Sequence, residues 1–258
     1  IIVNTLNDEY YNTVIKTFPD VHIQRTVSNG KPGKGHNSVL TFFHKYEKKH
    51  DYLFMLDGDD FLFPCALRHI ESYIKNNQPS LLMLKYHDWI SPAIKSQTNN
   101  KSRFIIENKV DWIFNIPFVM DREWLKIKSK NPFEHSIHEL NTIGRIVLFS
   151  RDIVASHRIQ YDENCLLYDD FIPGLQFMEL AYDTSVVVVS TNDPYIYLYN
   201  TLNDSSQTSK FNTIAQKENE HLVFAQSIKN KFETIRDWDL TRIPLVTINS
   251  DPIFTFQD

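Results

Sequence analysis

The apolar run Tyr52-Leu53-Phe54-Met55-Leu56 ends abruptly in Asp57-Gly58-Asp59-Asp60, and apolar residues resume at Phe61-Leu62-Phe63-Pro64. An uninterrupted apolar run of this length reads as a strand buried on both faces, the pattern of a parallel sheet covered by helices. Its C-terminal end carries the carboxylates, and that end is where open α/β sheets bind ligands. Carboxylates bunched together repel one another unless something positive sits between them. Aspartate oxygens suit Mg2+ or Mn2+, and such a cation can in turn hold the phosphates of a nucleotide. A plainer reading is capping: Asp59 or Asp60 would accept N–H groups at the start of a helix near Pro64. One aspartate suffices for a cap, and this turn has more.

The elements around that strand fit the same architecture. Ile1-Ile2-Val3 reads as a short strand, Glu9 to Phe18 as a helix, and Val21 to Val27 as a second, alternating strand. Ser28 to Gly35 reads as a loop by composition, and His36 to His50 as a helix. After Tyr52–Leu56 come a helix over Pro64–Asn76, with proline near its first turn, and a strand at Leu81–Leu84. Strand and helix alternate as in a doubly wound α/β fold with a mostly parallel central sheet. Beyond Trp89 the pattern turns irregular, and Ser91–Arg103 reads as a polar loop. Strands are expected at Arg145–Phe149, Val186–Val189 and Tyr195–Tyr199, and a helix over Asp169–Tyr182. Asn200–Lys210 is polar and reads as a flexible segment. A long amphipathic helix over Thr213–Ile235 and an extended tail complete the chain. The expected division is therefore a domain over residues 1–212 and a C-terminal helix and tail over 213–258.

Glycine usage points to the same end of the sheet. The chain has six glycines, and Gly30, Gly33, Gly35 and Gly58 fall within one short interval. Gly30-Lys31-Pro32-Gly33-Lys34-Gly35-His36-Asn37 has the spacing of a P-loop but places His36 and Asn37 where lysine and serine or threonine belong. It fails as that motif, yet its backbone N–H groups, Lys34 and the following helix start would favour an anion. The alternative is a plain solvated turn. A second acidic group lies in Tyr161-Asp162-Glu163-Asn164-Cys165-Leu166-Leu167-Tyr168-Asp169-Asp170. Asp169 and Asp170 either cap the next helix or supply a general base that deprotonates an acceptor hydroxyl. His87, His135, His138 and His157 are scattered and read as ordinary surface or core residues, although His135 and His138 could share a helix face.

Composition sets the outer bounds. The 258 residues allow one large α/β domain or two small ones, and 42% hydrophobic content supports a sizeable core. A formal charge of −5 without a long basic tract argues against nucleic-acid binding. Cys65 and Cys165 are far apart and suggest neither a disulfide framework nor a cysteine zinc site. No apolar run approaches the ~20 residues of a membrane span. No leader is legible from Ile1 onward, and a cytoplasmic location is expected.

Taken in order, these motifs resemble the family 2 glycosyltransferases of GT-A fold, over residues 1–210. The carrying segments are Gly33-Lys34-Gly35-His36-Asn37, the LDGDDFLFP stretch from Leu56 to Pro64, Gly144 to Arg151, Tyr161-Asp162-Glu163 with Asp169-Asp170, and Tyr197 or Tyr199 with Ser205, Ser206 and Thr208. The resemblance implies a nucleoside-diphosphate sugar donor, with a UDP-sugar favoured, and a glycan or other hydroxyl acceptor. It implies that Asp57, Asp59 and Asp60 hold Mn2+ or Mg2+. It places Thr5 and Asn7 near the nucleobase, and Lys34, Gly35, Asn37, Asp57, Tyr199 and Ser205 around the donor. It makes Asp170 the base of an inverting displacement, with Asp169 where the family has glutamate. The first strand lacks the family's usual proline, and Ser28-Asn29 stands where the family has an acidic signature. Two other readings stand beside it: a magnesium-dependent phosphatase of the haloacid dehalogenase type, and an inactive glycan-binding domain. The helix from Thr213 packs on the domain or forms a dimer contact.

Overall fold

The computed structural model describes residues 1–28, 30–45, 51–58, 60–90, 101–106, 109–115, 121–130, 147–157, 159–166, 168–191 and 196–200, with residues 216, 219–220, 222–224 and 226–227 of the C-terminal part. Strand β1 (Ile2–Asn4) pairs in parallel with β2 (Gln24–Thr26), and α1 (Asp8–Thr17) joins them. The Asn7 side chain accepts the Tyr10 N–H and caps α1, whose first turn carries Asp8 and Glu9 and whose last turn carries Lys16. That charge order complements the helix dipole.

The central sheet has four strands in the order β10-β5-β9-β3. They are β3 (Tyr52–Phe54), β5 (Leu81–Met83), β9 (Val147–Ser150) and β10 (Val188–Ser190). β10 runs parallel to β5, while β9 lies antiparallel between β5 and β3. Three of these strands thus share one direction. The adjacent β3–β5 pairing suggested by the strand–helix–strand order is split by an insertion from much later in the chain. Leu81, Leu82 and Met83 are buried along their whole length, whereas β3 is half-buried. The expectation of burial on both faces therefore fails for β3, and β5 is the strand that meets it.

A second sheet of five strands follows the order β4-β11-β6-β8-β7. It contains β4 (Phe61–Leu62), β6 (Tyr86–Ile90), β7 (Lys101–Ile106), β8 (Lys109–Asn115) and β11 (Tyr197–Asn200). The stretch that reads as irregular after Trp89 includes the antiparallel pairs β6–β8 and β8–β7. Residues 101–103, expected in a loop, form the start of β7; residues 91–100 lie outside the described residues. β11 joins the two halves of the chain, pairing with β4 on one side and β6 on the other.

The helices on these sheets are α2 (Pro32–Lys45), α3 (Ala66–Asn77), α4 (Arg122–Lys130), α5 (Arg151–His157) and α6 (Phe171–Leu180). α2 starts four residues earlier than its apolar periodicity suggests. Proline at the first helical position costs no hydrogen bond there, because the missing N–H has no partner within the helix. α6 is buried almost all round, including Phe171, Ile172, Leu175, Phe177 and Met178. A helix apolar on every side belongs inside a core. It packs with Leu81–Leu84 and Val147–Phe149 in one apolar cluster. Among the described residues no helix is long and apolar enough to cross a membrane.

Candidate functional site

Three pieces of chain meet at the end of β3: the turn after that strand, the first turn of α2, and the acidic segment 161–170 leading into α6. Side-chain and backbone bonds set their positions. Asn37 on α2 accepts the Tyr161 N–H at 2.8 Å and donates to the Tyr161 carbonyl at 3.0 Å, as a neighbouring strand would. It also donates to Glu163 Oε1 at 2.9 Å. The Asp162 N–H donates to the Asp169 carbonyl at 3.0 Å and closes the acidic segment on itself. Gly33 lies so close to this segment that a Cβ there would overlap the Asp162 carbonyl oxygen, with the carbonyl carbon at 2.6 Å and Asp169 Cβ at 3.1 Å. Only glycine fits that contact.

The residue that bridges the pieces is His36. Its Nδ1 lies 2.9 Å from Asp169 Oδ2, and its Nε2 lies 3.1 Å from Asp57 Oδ1. A neutral imidazole has one N–H and one bare nitrogen. Where both neighbours are ionised carboxylates, both nitrogens must donate, which only the protonated ring can do. Burial by itself lowers the pKa of His36; the hydrogen bonds and charges of Asp169 and Asp57 more than reverse this and raise it from 6.5 to about 10. The ring also lies against Tyr161, with centroids 4.5 Å apart. The positive charge that the carboxylates require is thus supplied, at least in part, by the chain itself.

Asp57 has 36% of its side chain exposed, whereas Asp169 has 6%. Asp60 is buried and accepts a short hydrogen bond from the Tyr197 hydroxyl, tying the turn to β11. It caps no helix, since Cys65 holds the N-cap position of α3. Asp170 is 1% exposed and holds the N-cap position of α6, yet its side chain makes no capping hydrogen bond. Capping therefore does not explain Asp60 or Asp170. Thr5 accepts the Asn7 N–H at 3.0 Å through its hydroxyl, and Asn7 itself caps α1. Lys34 and Gly35 lie in the first turn of α2, with Lys34 exposed. Tyr199 sits in β11 opposite Asp88. Asp59 and Ser205 lie outside the described residues, as do His135 and His138.

The site has a supporting layer that its sequence does not advertise. Asp162 is buried; it accepts the Asn164 N–H at 2.8 Å, and Cys165 Sγ donates to its Oδ2 at 3.3 Å. Burial, then the Asp162 charge, pushes the Cys165 thiol well above its usual range, so it stays protonated and unreactive. Glu220 is buried and accepts the Leu166 N–H at 2.7 Å. Phe224 packs against Tyr168 and Phe171, with ring centroids at 5.1 and 4.6 Å. Burial, followed by the charge of Glu220, raises the Tyr168 hydroxyl to about 12.

Among the described residues no group of three or more His, Cys, Asp or Glu side chains is arranged to hold a metal ion. The oxygen donors of the exposed Asp57 are nevertheless of the kind that Mg2+ and Mn2+ take.

No known family profile matches the chain, and no curated sequence does. Solved structures do match. S. aureus TarS in complex with UDP-GlcNAc aligns with a TM-score of 0.54 at 13% identity, over 89% of this chain and 56% of its own. The same protein in complex with UDP gives 0.48 at 13% identity, over 91% of this chain and 62% of the other. The chain spans little more than half the length of the first of these structures. The likeness establishes the mixed α/β, glycosyltransferase-type fold with parallel strands in its central sheet.

Proposed function

We propose that the chain is a glycosyltransferase that moves a sugar from a nucleoside-diphosphate sugar, with UDP-sugars favoured, to a hydroxyl acceptor on a glycan or similar molecule. The observation that carries this reading is the meeting of Asp57, at the end of a sheet strand, with Asp169 through His36. A half-exposed carboxylate linked to a buried one suits a donor side and an acceptor side, and the fold is shared with a protein crystallised with UDP-GlcNAc.

In this reading Asp170 is the general base. The acceptor oxygen attacks the anomeric carbon as its proton passes to Asp170. The bond from that carbon to the diphosphate oxygen breaks, and its electron pair leaves with the diphosphate, inverting the configuration. Asp169 is engaged by His36 and is the less suitable base of the two. Thr5 and Asn7 would serve the nucleobase, and Lys34, Gly35, Tyr199 and Ser205 the diphosphate and sugar. Asn37 contributes by holding the acidic segment. Asp57, with Asp59 and Asp60, would hold Mn2+ or Mg2+; such an ion neutralises charge developing on the leaving diphosphate.

Calorimetric titration of UDP and of GDP, with and without Mn2+, tests the reading on the native protein and on Asp59→Ala. Expected is Mn2+-dependent binding of UDP in preference to GDP, lost in the variant. If neither nucleotide binds under any condition, the reading fails, and hydrolysis of phosphate monoesters becomes the activity to assay.

A further inference from the structure

We propose that His36 is a positioning residue that joins the donor-side carboxylate Asp57 to the acceptor-side carboxylate Asp169 and sets the geometry between them; this rests on the glycosyltransferase reading above. The ring reaches both through opposite nitrogens, at 3.1 Å and 2.9 Å. Those carboxylates come from separate pieces of the fold, one following β3 and one preceding α6. Asn37, the next residue on the helix, fixes the second piece by clamping Tyr161. Tyr161 in turn packs against the His36 ring, so the imidazole has little freedom to turn.

Two consequences follow for the chemistry. Asp57 is held in one orientation before a donor arrives, which lowers the ordering cost of binding an anionic diphosphate. Asp169 is engaged by the His36 ring, which reserves proton removal for Asp170. Without the ring, Asp57 and Asp169, and the two pieces of chain that carry them, lose this side-chain link.

The role demands a side chain that reaches both carboxylates from opposite ends, and that requirement separates it from mere space filling. His36→Gln keeps a polar side chain of similar size but has its polar atoms at one end only. His36→Arg offers donors in two directions again. UDP binding in the presence of Mn2+ is measured by calorimetry for the native protein and both variants. The expected result is affinity weakened by roughly ten-fold or more in His36→Gln and restored to within about three-fold of native in His36→Arg. Native-like affinity in His36→Gln overturns the proposal, as does equal loss in both variants.

A readout that needs no nucleotide runs alongside. Urea unfolding of Asp57→Asn, His36→Gln and the double variant measures whether the two side chains are energetically coupled. Non-additive losses support the bridge; additive losses overturn it. If the native protein binds no UDP, the glycosyltransferase reading falls, while this cycle still decides whether His36 joins the two carboxylates.

Discussion

A cation held between carboxylates ties the stability of the fold to pH in one direction. His36 titrates near 6.5 in an unfolded chain and at about 10 here, so the folded state holds its proton more tightly. The stabilisation is fully present below about pH 6.5 and fades as pH rises from there through 10, because over that range unfolding releases a proton that the folded state still holds. Urea midpoints measured from pH 6 to pH 10 should therefore fall more steeply for the native protein than for His36→Gln. Parallel slopes would show that the imidazole carries no such charge. The acidic residues around it were legible in the sequence because a strand driven into Asp57-Gly58-Asp59-Asp60, and an Asp169-Asp170 pair ahead of an apolar helix, exceed what caps require. His36 was not legible in the same way. Its only local sign is that it stands in a glycine-rich stretch where a P-loop would have lysine, and the spacing to its partners is set by tertiary packing.

The first turn of α2 is the element that brings these groups together, and its glycines can be ranked by what surrounds them. At Gly33 a methyl group would run into the backbone of Asp162, which cannot give way as a side chain can. At Gly35 the nearest atom is the Asn4 amide nitrogen at 3.3 Å, and at Gly58 nothing lies within 4 Å. Gly33→Ala should accordingly cost about 1–3 kcal/mol and weaken UDP binding, since the acidic segment must shift to accept it. Gly58→Ala should stay within about 0.5 kcal/mol of native in the same urea titration. Equal stability of the two variants would mean that α2 and the segment 161–170 are not packed as described. Periodicity marked the helices α1, α3 and α6 to within a few residues. It missed the start of α2 because Pro32-Gly33-Lys34-Gly35 has turn composition and no apolar side chain to signal a helix. It also gave no sign that β9 inserts between β3 and β5, since pairing across so many residues is decided by which buried faces match and leaves little local trace.

At the scale of the whole molecule, contacts run across residue 212, where the sequence suggests a boundary. The described residues between 216 and 227 are helical. From them Glu220 reaches back to the Leu166 N–H, and Phe224 closes over Tyr168 and Phe171. The amphipathic pattern of Thr213–Ile235 showed that this stretch needs an apolar partner but not which one. Its described residues Glu220 and Phe224 meet the segment around Asp169 and Asp170. Phe224→Ala removes a side chain that is 2% exposed and should cost about 3–5 kcal/mol, a large share of the 5–15 kcal/mol that holds a typical domain folded. Ending the chain after Asn212 removes Glu220 and Phe224 together. It leaves the Leu166 N–H without its carboxylate partner and uncovers two aromatic rings beside the site. The shortened chain should therefore melt at least several degrees lower than the full chain, and limited proteolysis should cut it within 161–170, where the full chain resists. UDP affinity should fall with it, because the segment that orients Asp169 toward His36 loses its backing. Melting and protease resistance equal to those of the full chain would instead establish residues 213–258 as an appendage to an independently folded domain.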